Sequence, residues 1–328
     1  MPAPDSLCFA ASAGGHLDLL RALAPDVLDG QEPVWVTSRT PRGEALRASE
    51  ALTELLPEYG RSPLKALKNV AAAAMVVIRR RPQTVVTSGA GVVAPFCLLA
   101  RLAGARLVYM ETMARVSSPS MTARLLSRVA GRVLVQWPEL ADSLPRAVVC
   151  RPTLLEDIGD GGHAPDAGTF VAVGTHRQPY ARLLEIVSRG IEAGLLPGPV
   201  RAQLGPAKWH ADGARVNAFM DRDELEASVR ASAVVVCHGG AGIISSALAA
   251  GRRPIVVARR AALGEHVDDH QYQLTRKLAD WGLVVPVEER ITAADVEEAA
   301  RPLEVPSEIR ERPSAAEVLR AELSGLST

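Results

Sequence analysis

The 328 residues are enough for two domains of ordinary size, and a hydrophobic share of 48% supplies two buried cores. Lys plus Arg and Asp plus Glu both number 37, so net charge offers no nucleic-acid signature. No run of about 18 apolar residues exists to span a bilayer, and Cys8, Cys97, Cys150 and Cys237 form no CxxC pair, which predicts reduced thiols and a cytoplasmic protein.

Residues 7–11 (LCFAA) read as a first strand, too short and without a basic flank for a signal peptide. They run into Ser12, Ala13, Gly14, Gly15 and His16, after which Leu17, Leu19, Leu20 and Leu23 carry helical spacing. A second strand is predicted at 33–38 and a helix over 44–56. The segment 62–81 opens with a capping Ser62 and Pro63 and ends on Arg79, Arg80 and Arg81 before Pro82, which predicts a helix. Its apolar residues Leu64, Leu67, Val70, Met75, Val76 and Ile78, with Lys65 and Lys68, suit either an anionic bilayer or packing against a sheet. Between residues 61 and 151 there are 14 basic residues against Glu111, Glu139 and Asp142, so one face of the first half is expected to be positive.

A strand at 84–87 leads to Ser88, Gly89, Ala90 and Gly91, then a helix over 93–103 and a strand over 106–110 that delivers Glu111. Residues 125–130, a strand at 133–136 and Trp137-Pro138-Glu139-Leu140 follow. Hydrophobicity collapses near 156–168, which sets domain boundaries at 1–158, a linker at 159–168 and 169–328. The pattern then restarts with a strand ending at Gly174, Thr175 and His176, a helix over 180–193, a strand at 200–204 and a helix over 223–232. Further on come strands at 254–258 and 283–287, a loop over 259–271, a helix over 272–281 and terminal helices from 293.

Residues 234–251, VVVCHGGAGIISSALAAG, concentrate the chemistry. A strand breaks at His238, Gly239, Gly240, Ala241 and Gly242 and a helix follows. That geometry gathers bare N–H groups and a positive helix end, which suits a diphosphate or serves simply as a tight turn. Alternating strands and helices predict an α/β protein with two doubly wound parallel sheets, two halves facing a cleft, with ligands beyond the strands' carboxyl ends. Asp221-Arg222-Asp223 spells DxD, but before a short helix Asp223 is expected to cap, and no metal is expected. Gly89-Ala90-Gly91 lacks the dinucleotide fingerprint, so no nicotinamide or other cofactor is expected.

GGH at 14–16, SGAG at 88–91, YMETMARVSSPSMTARLL at 109–126 and VQWPEL at 135–140 resemble the acceptor subunit of the two-subunit UDP-N-acetylglucosamine transferase of dolichol-linked oligosaccharide assembly. VGTHRQPYARLL at 173–184, HGGAG at 238–242 and GEHVDDHQ at 264–271 resemble its catalytic partner and the related bacterial exopolysaccharide glycosyltransferase pairs. The resemblance implies both subunits fused in one chain, a GT-B fold, and inverting, metal-independent transfer from a UDP-sugar to a glycan or lipid-linked acceptor. It also implies a protein at the inner face of the cell membrane.

The resemblance gives donor contacts to Asp269, His270 and Gln271; Asp268 and Asp269 equally suit capping of the following helix. Where related donor subunits carry a ribose-binding Glu, this chain has Ser246, which moves the role to Glu265 or alters donor preference. His238 serves either the leaving phosphate or the strand end, and Thr175 and His176 either the phosphates or loop packing. Two groups compete as base: His16, whose ordinary pKa near ~6.5 suits proton transfer, and Glu111, which otherwise orients the acceptor. Arg115 and Ser117, beside Ser118, suit an acceptor phosphate or a surface ion pair. A UDP-sugar epimerase and a non-catalytic nucleotide-sugar binder are the alternatives on the same architecture.

Overall fold

The computed structural model describes residues 7–28, 30–50, 52–60, 62–159, 168–174, 176, 178 and 180–325. The chain divides into two compact units, Met1–Pro152 with Arg312–Thr328, and Thr153–Glu311.

In the first unit the short apolar runs become β1 (Leu7–Ala11), β2 (Val34–Ser38), β3 (Thr53–Leu56), β4 (Thr84–Gly89), β5 (Arg106–Met110), β6 (Arg132–Val135) and β7 (Ala147–Val149). They form one parallel sheet in the order β3-β2-β1-β4-β5-β6-β7. The order reverses between β1 and β4, so their carboxyl ends part and leave a crevice there. A register shift between Ala10 and Ala11, which pairs Ala11 with Gly89, sits at that point.

The expected helix over 44–56 is corrected. The helix Pro41–Ser49 ends at an extended Glu50, and Thr53–Leu56 pairs with β2 instead. Within β3 the buried Glu54 accepts from Arg79 and Arg80 of the helix Pro63–Arg80. That helix begins as its caps predict, with the Ser62 hydroxyl accepting from Lys65 N–H and Pro63 in the first turn. It buries Asn69, Ala73, Val76 and Val77 and leaves Leu64, Leu67, Val70, Met75 and Ile78 exposed. Packing on the sheet therefore accounts for Val76 but not for the other five apolar side chains.

The second unit holds β8 (Thr169–Ala172), β9 (Val200–Gln203), β10 (Arg215–Asn217), β11 (Val234–His238), β12 (Ile255–Val257) and β13 (Val285–Pro286). They too are parallel, in the order β10-β9-β8-β11-β12-β13. Here the crevice lies between β8 and β11. The helix Arg222–Ala231 is capped by Asp221, whose carboxylate accepts from Glu224 N–H at 2.8 Å, so the expected cap Asp223 lies inside it. Most of the expected linker, 160–167, lies outside the described residues.

The last helix, Ala315–Leu323, was expected with the second half but belongs to the first unit. Its Ala315, Ala316 and Leu319 join the core formed by Leu17, Leu20 and Leu23. Glu322 completes the attachment by accepting from Arg106 at 3.0 Å and from Arg132 at 2.5 Å.

Candidate functional site

The turn after β11 is built around one imidazole. His238 Nδ1 lies 3.3 Å from the Ala172 carbonyl, an acceptor only, so this nitrogen carries the proton. Burial pushes the pKa of the ring down to about 4, which leaves it neutral with an unprotonated Nε2. A Cβ on Gly174 would meet that Nε2 at 2.6 Å, and one on Gly240 at 2.3 Å, so two bare backbones are needed to house the ring. Gly174 also sits at φ +86°, where side chains are rarely tolerated. In this tautomer the second nitrogen accepts, and the contact with Ala172 ties the ring to the neighbouring strand end.

Gly240 precedes the helix Ala241–Ala249 and gives it no side-chain cap. The first-turn N–H groups of Ala241, Gly242 and Ile243 thus stand uncapped by any side chain at a positive helix end. Gly242 has open space where a side chain would begin. Gly239 has none: a Cβ there would meet the Gln271 carbonyl and Thr275 hydroxyl at 2.9 Å, which brings the helix His270–Asp280 against the turn. Gln271 is buried, and its side-chain oxygen has no hydrogen-bond partner. A buried acceptor left unmade costs about 1–3 kcal/mol.

Other expected donor contacts fall differently. Ser246 Oγ donates to the Gly242 carbonyl at 3.2 Å. Glu265 is buried and receives Arg182 on both oxygens at 2.8 Å and the Arg260 N–H at 3.0 Å, so its carboxylate is spent on shaping the loop rather than free for a ribose. Asp269 accepts from Ala261 N–H at 2.8 Å and makes no side-chain cap, and His270 Nδ1 is bonded to Asp268. His176 is exposed, its ring 4.8 Å from that of His266; Thr175 lies outside the described residues.

One organiser of this edge carried no motif. Arg259 is 1% exposed, donates to the carbonyls of Val173, Gln178 and Glu265, and lies 4.3 Å from the centre of the Tyr180 ring. It ties the end of β12 to the turn after β8. Only an arginine directly after a buried strand could have signalled it. Beside it opens a pocket of about 790 Å³ lined by Val173, His176, Tyr180, Ser188, Trp209 and Arg259 among others.

In the first unit the turns after β1 and β4 meet. His16, second residue of the helix Gly15–Leu28, places Nδ1 2.7 Å from the Ser88 carbonyl, while Ser88 Oγ donates to the His16 carbonyl at 2.9 Å. The carbonyl fixes the proton on Nδ1 and leaves Nε2 as a lone pair. Burial lowers the His16 pKa, the Ser88 hydrogen bond and Glu111 opposing it, so the ring is neutral near pH 7. Gly14 has φ +119°, Gly15 is exposed, and Gly89 at φ +90° lies against Thr122 and Tyr109. A Cβ on Gly91 would touch the Tyr59 hydroxyl at 2.9 Å; Ala90 lies between.

Glu111 is 1% exposed and accepts from Thr112 N–H at 3.0 Å, Ser120 N–H at 2.8 Å and the Tyr109 hydroxyl at 3.4 Å. A carboxylate so occupied anchors the loop 112–120. Trp137 Nε1 donates to the Met113 carbonyl and Gln136 to that of Glu111, so VQWPEL holds the same loop. The loop presents a half-buried Arg115 and an exposed Ser117.

Acid should loosen the second unit. His238 binds its proton only near pH 4 when folded, against ~6.5 unfolded. The unfolded chain therefore holds more protons between those values, and stability falls on the order of 3 kcal/mol as pH drops through the window. Melting scans of the native chain and of His238→Asn should show that slope reduced in the variant; equal slopes would refute the assignment.

Two Rossmann-ordered units, each with a glycine turn at its switch point, define the GT-B class of glycosyltransferase fold. Residues 54–151 match the family model described as oligosaccharide biosynthesis protein Alg14 like, and residues 170–322 that of the glycosyltransferase family 28 C-terminal domain. The chain is a glycosyltransferase that joins an Alg14-like segment to a family 28 C-terminal domain in one polypeptide.

A curated relative from Shewanella sp. (strain W3-18-1), UDP-N-acetylglucosamine--N-acetylmuramyl-(pentapeptide) pyrophosphoryl-undecaprenol N-acetylglucosamine transferase, is 28% identical over 337 residues, 88% of this chain and 85% of its own. The crystal structure of Acinetobacter baumannii MurG superposes with a TM-score of 0.70 at 18% identity, covering 98% of this chain and 99% of that one. The UDP-GlcNAc 2-epimerase of Methanocaldococcus jannaschii shares the fold at a TM-score of 0.69 and 10% identity, with 98% and 99% coverage.

Proposed function

We propose that this glycosyltransferase moves a sugar, N-acetylglucosamine or another hexose, from a UDP-sugar to a hydroxyl of a lipid-linked glycan or similar acceptor, with inversion and without a metal at the diphosphate. The observation that carries this reading is the bare helix start at 240–243 beside the unpartnered Gln271 oxygen. The amides receive the charge that grows on the leaving diphosphate as the anomeric C–O bond breaks. Gln271 accepts a hydroxyl of the donor sugar. His16 Nε2 takes the proton of the attacking acceptor hydroxyl, and a single displacement inverts the anomeric centre. With Glu265 committed to Arg182 and the Arg260 amide, ribose contacts fall to backbone and to Ser246. Arg115 and Ser117 face an acceptor phosphate.

The test screens UDP- and dTDP-sugars for thermal stabilisation, where ligand at 100 times its Kd adds about 2.7 kcal/mol. UDP-N-acetylglucosamine should raise Tm, and UDP release should require an acceptor. Release of a changed sugar with no acceptor present would instead establish the epimerase reading.

The acceptor's lipid calls for a surface. Leu64, Leu67, Met75 and Ile78 are 62–75% exposed on the helix Pro63–Arg80, beside Lys65 and Lys68. No helix among the described residues is long and apolar enough to cross a membrane, and we assign this face to peripheral contact with the inner leaflet. Arg79 and Arg80 pair with buried Glu54, so the informative variant spares them. Replacing Lys65 and Lys68 with Glu and Leu64 and Leu67 with Ser should abolish co-sedimentation with anionic vesicles without lowering Tm; unchanged co-sedimentation would end the assignment.

A further inference from the structure

His266, Asp268 and His270 alternate along the segment that enters the helix His270–Asp280, and their ligating atoms lie within 4.8 Å of one another. Both imidazoles turn Nδ1 toward the same Asp268 oxygen, from 3.2 Å in His266 and in closer contact from His270. The rings of His266 and His270 stand edge to face, 4.6 Å apart, and the His176 ring lies tilted against that of His266 at 4.8 Å. Three imidazoles and a carboxylate thus converge from two loops. None of them lies in the DxD motif, and neither His266 nor Asp268 has a part in the sugar-transfer chemistry argued above.

We propose that His266, Asp268 and His270 form a binding site for a divalent transition-metal ion of the zinc type. Metal–ligand bonds of about 2.0–2.2 Å around a tetrahedral ion set donors ~3.3 Å apart. The His266–Asp268 spacing already has that value, and rotation of the His270 ring supplies the rest. Two imidazoles and one carboxylate select zinc, cobalt or nickel over magnesium and calcium, which prefer all-oxygen shells. His266 is 8% exposed and anchors the site, whereas Asp268 at 36% and His270 at 25% leave one side open to water ligands. The ligands must be unprotonated imidazoles, and burial already lowers the His266 pKa.

The ion would pin the loop to the residue before Gln271. It would therefore stiffen the segment that the functional reading gives to the donor sugar, a consequence that rests on that reading; metal uptake does not. The proposed transfer needs no metal at the diphosphate, so it should persist in the chelator-treated chain, and the same chain should take up zinc when the ion is added back.

The test titrates Co²⁺ into the chelator-treated, tag-free full chain and follows visible absorption and Zn²⁺ competition. One equivalent should bind with nitrogen–oxygen ligand-field bands and no thiolate charge transfer, because all four cysteines are buried. His266→Ala and His270→Ala should each weaken uptake by ~100-fold, at or beyond the 10–100-fold cost of losing an outer-shell partner. His210→Ala, at an exposed His–Asp pair elsewhere, should leave it unchanged. Melting temperatures confirm that each variant folds. No uptake, or uptake insensitive to both ligand variants, overturns the proposal and leaves the triad as a hydrogen-bonded clamp.

Discussion

Replacing His16 with alanine is expected to lower kcat by ~10²–10⁴-fold, the usual worth of a positioned general base, while the Kd for the UDP-sugar stays within about twofold. The expectation follows from one hydrogen bond. The Ser88 carbonyl at 2.7 Å holds the proton on Nδ1 and leaves the lone pair on Nε2, and burial keeps the ring neutral at working pH. Because the folded pKa is lowered, the acidic limb of kcat/KM should lie below ~6.5 and vanish in the variant. His16→Asn separates chemistry from architecture, since an amide N–H can still bond to the Ser88 carbonyl but offers no base of useful pKa. If the asparagine enzyme turns over like the native one, His16 only holds its turn.

Gly240→Ala is the second large effect. Its Cβ would fall 2.3 Å from His238 Nε2, and the imidazole has nowhere to go while Gly174 flanks it at the same nitrogen. Overpacking of this kind costs typically about 1–3 kcal/mol. The displaced turn would also misaim the 241–243 amides, where a single lost oxyanion donor is worth ~10²–10³ in rate. Gly242→Ala, facing open space, should be far milder. The cause is checked by a double-mutant cycle. Adding His238→Ala should restore part of the Tm and UDP binding lost in Gly240→Ala, and an additive cycle would mean that the ring is not the obstacle.

Where a residue's job follows from its neighbours in sequence, the sequence shows it. Ser62-Pro63 starts the helix it promises, and the glycine turns at 14–15 and 239–240 stand at the two switch points. The HGGAG stretch ends a strand and starts a helix where periodicity places the change. Edge strands were harder. Thr53–Leu56 resembles the last turn of a helix until β2 is beside it, and the three-residue strands Ala147–Val149 and Arg215–Asn217 are too short to show a period. Side-chain occupancy was invisible. Glu111, Glu265 and His238 are the residue types that catalysis and phosphate binding use, yet each is engaged by partners between 1 and 83 positions away. What favours His16 over Glu111 as the proposed base is therefore a set of hydrogen-bond partners that no spacing encodes.

The last helix of the stretch matched as family 28 is built into the first unit, with Ala315, Ala316 and Leu319 laid over Leu17, Leu20 and Leu23. A fragment stopped at residue 152 would therefore emerge with a greasy groove and with Arg106 and Arg132 stripped of their shared carboxylate. Dividing this gene into two cistrons at that junction would not produce two self-sufficient proteins; the upstream product would need a piece of the downstream one to become soluble.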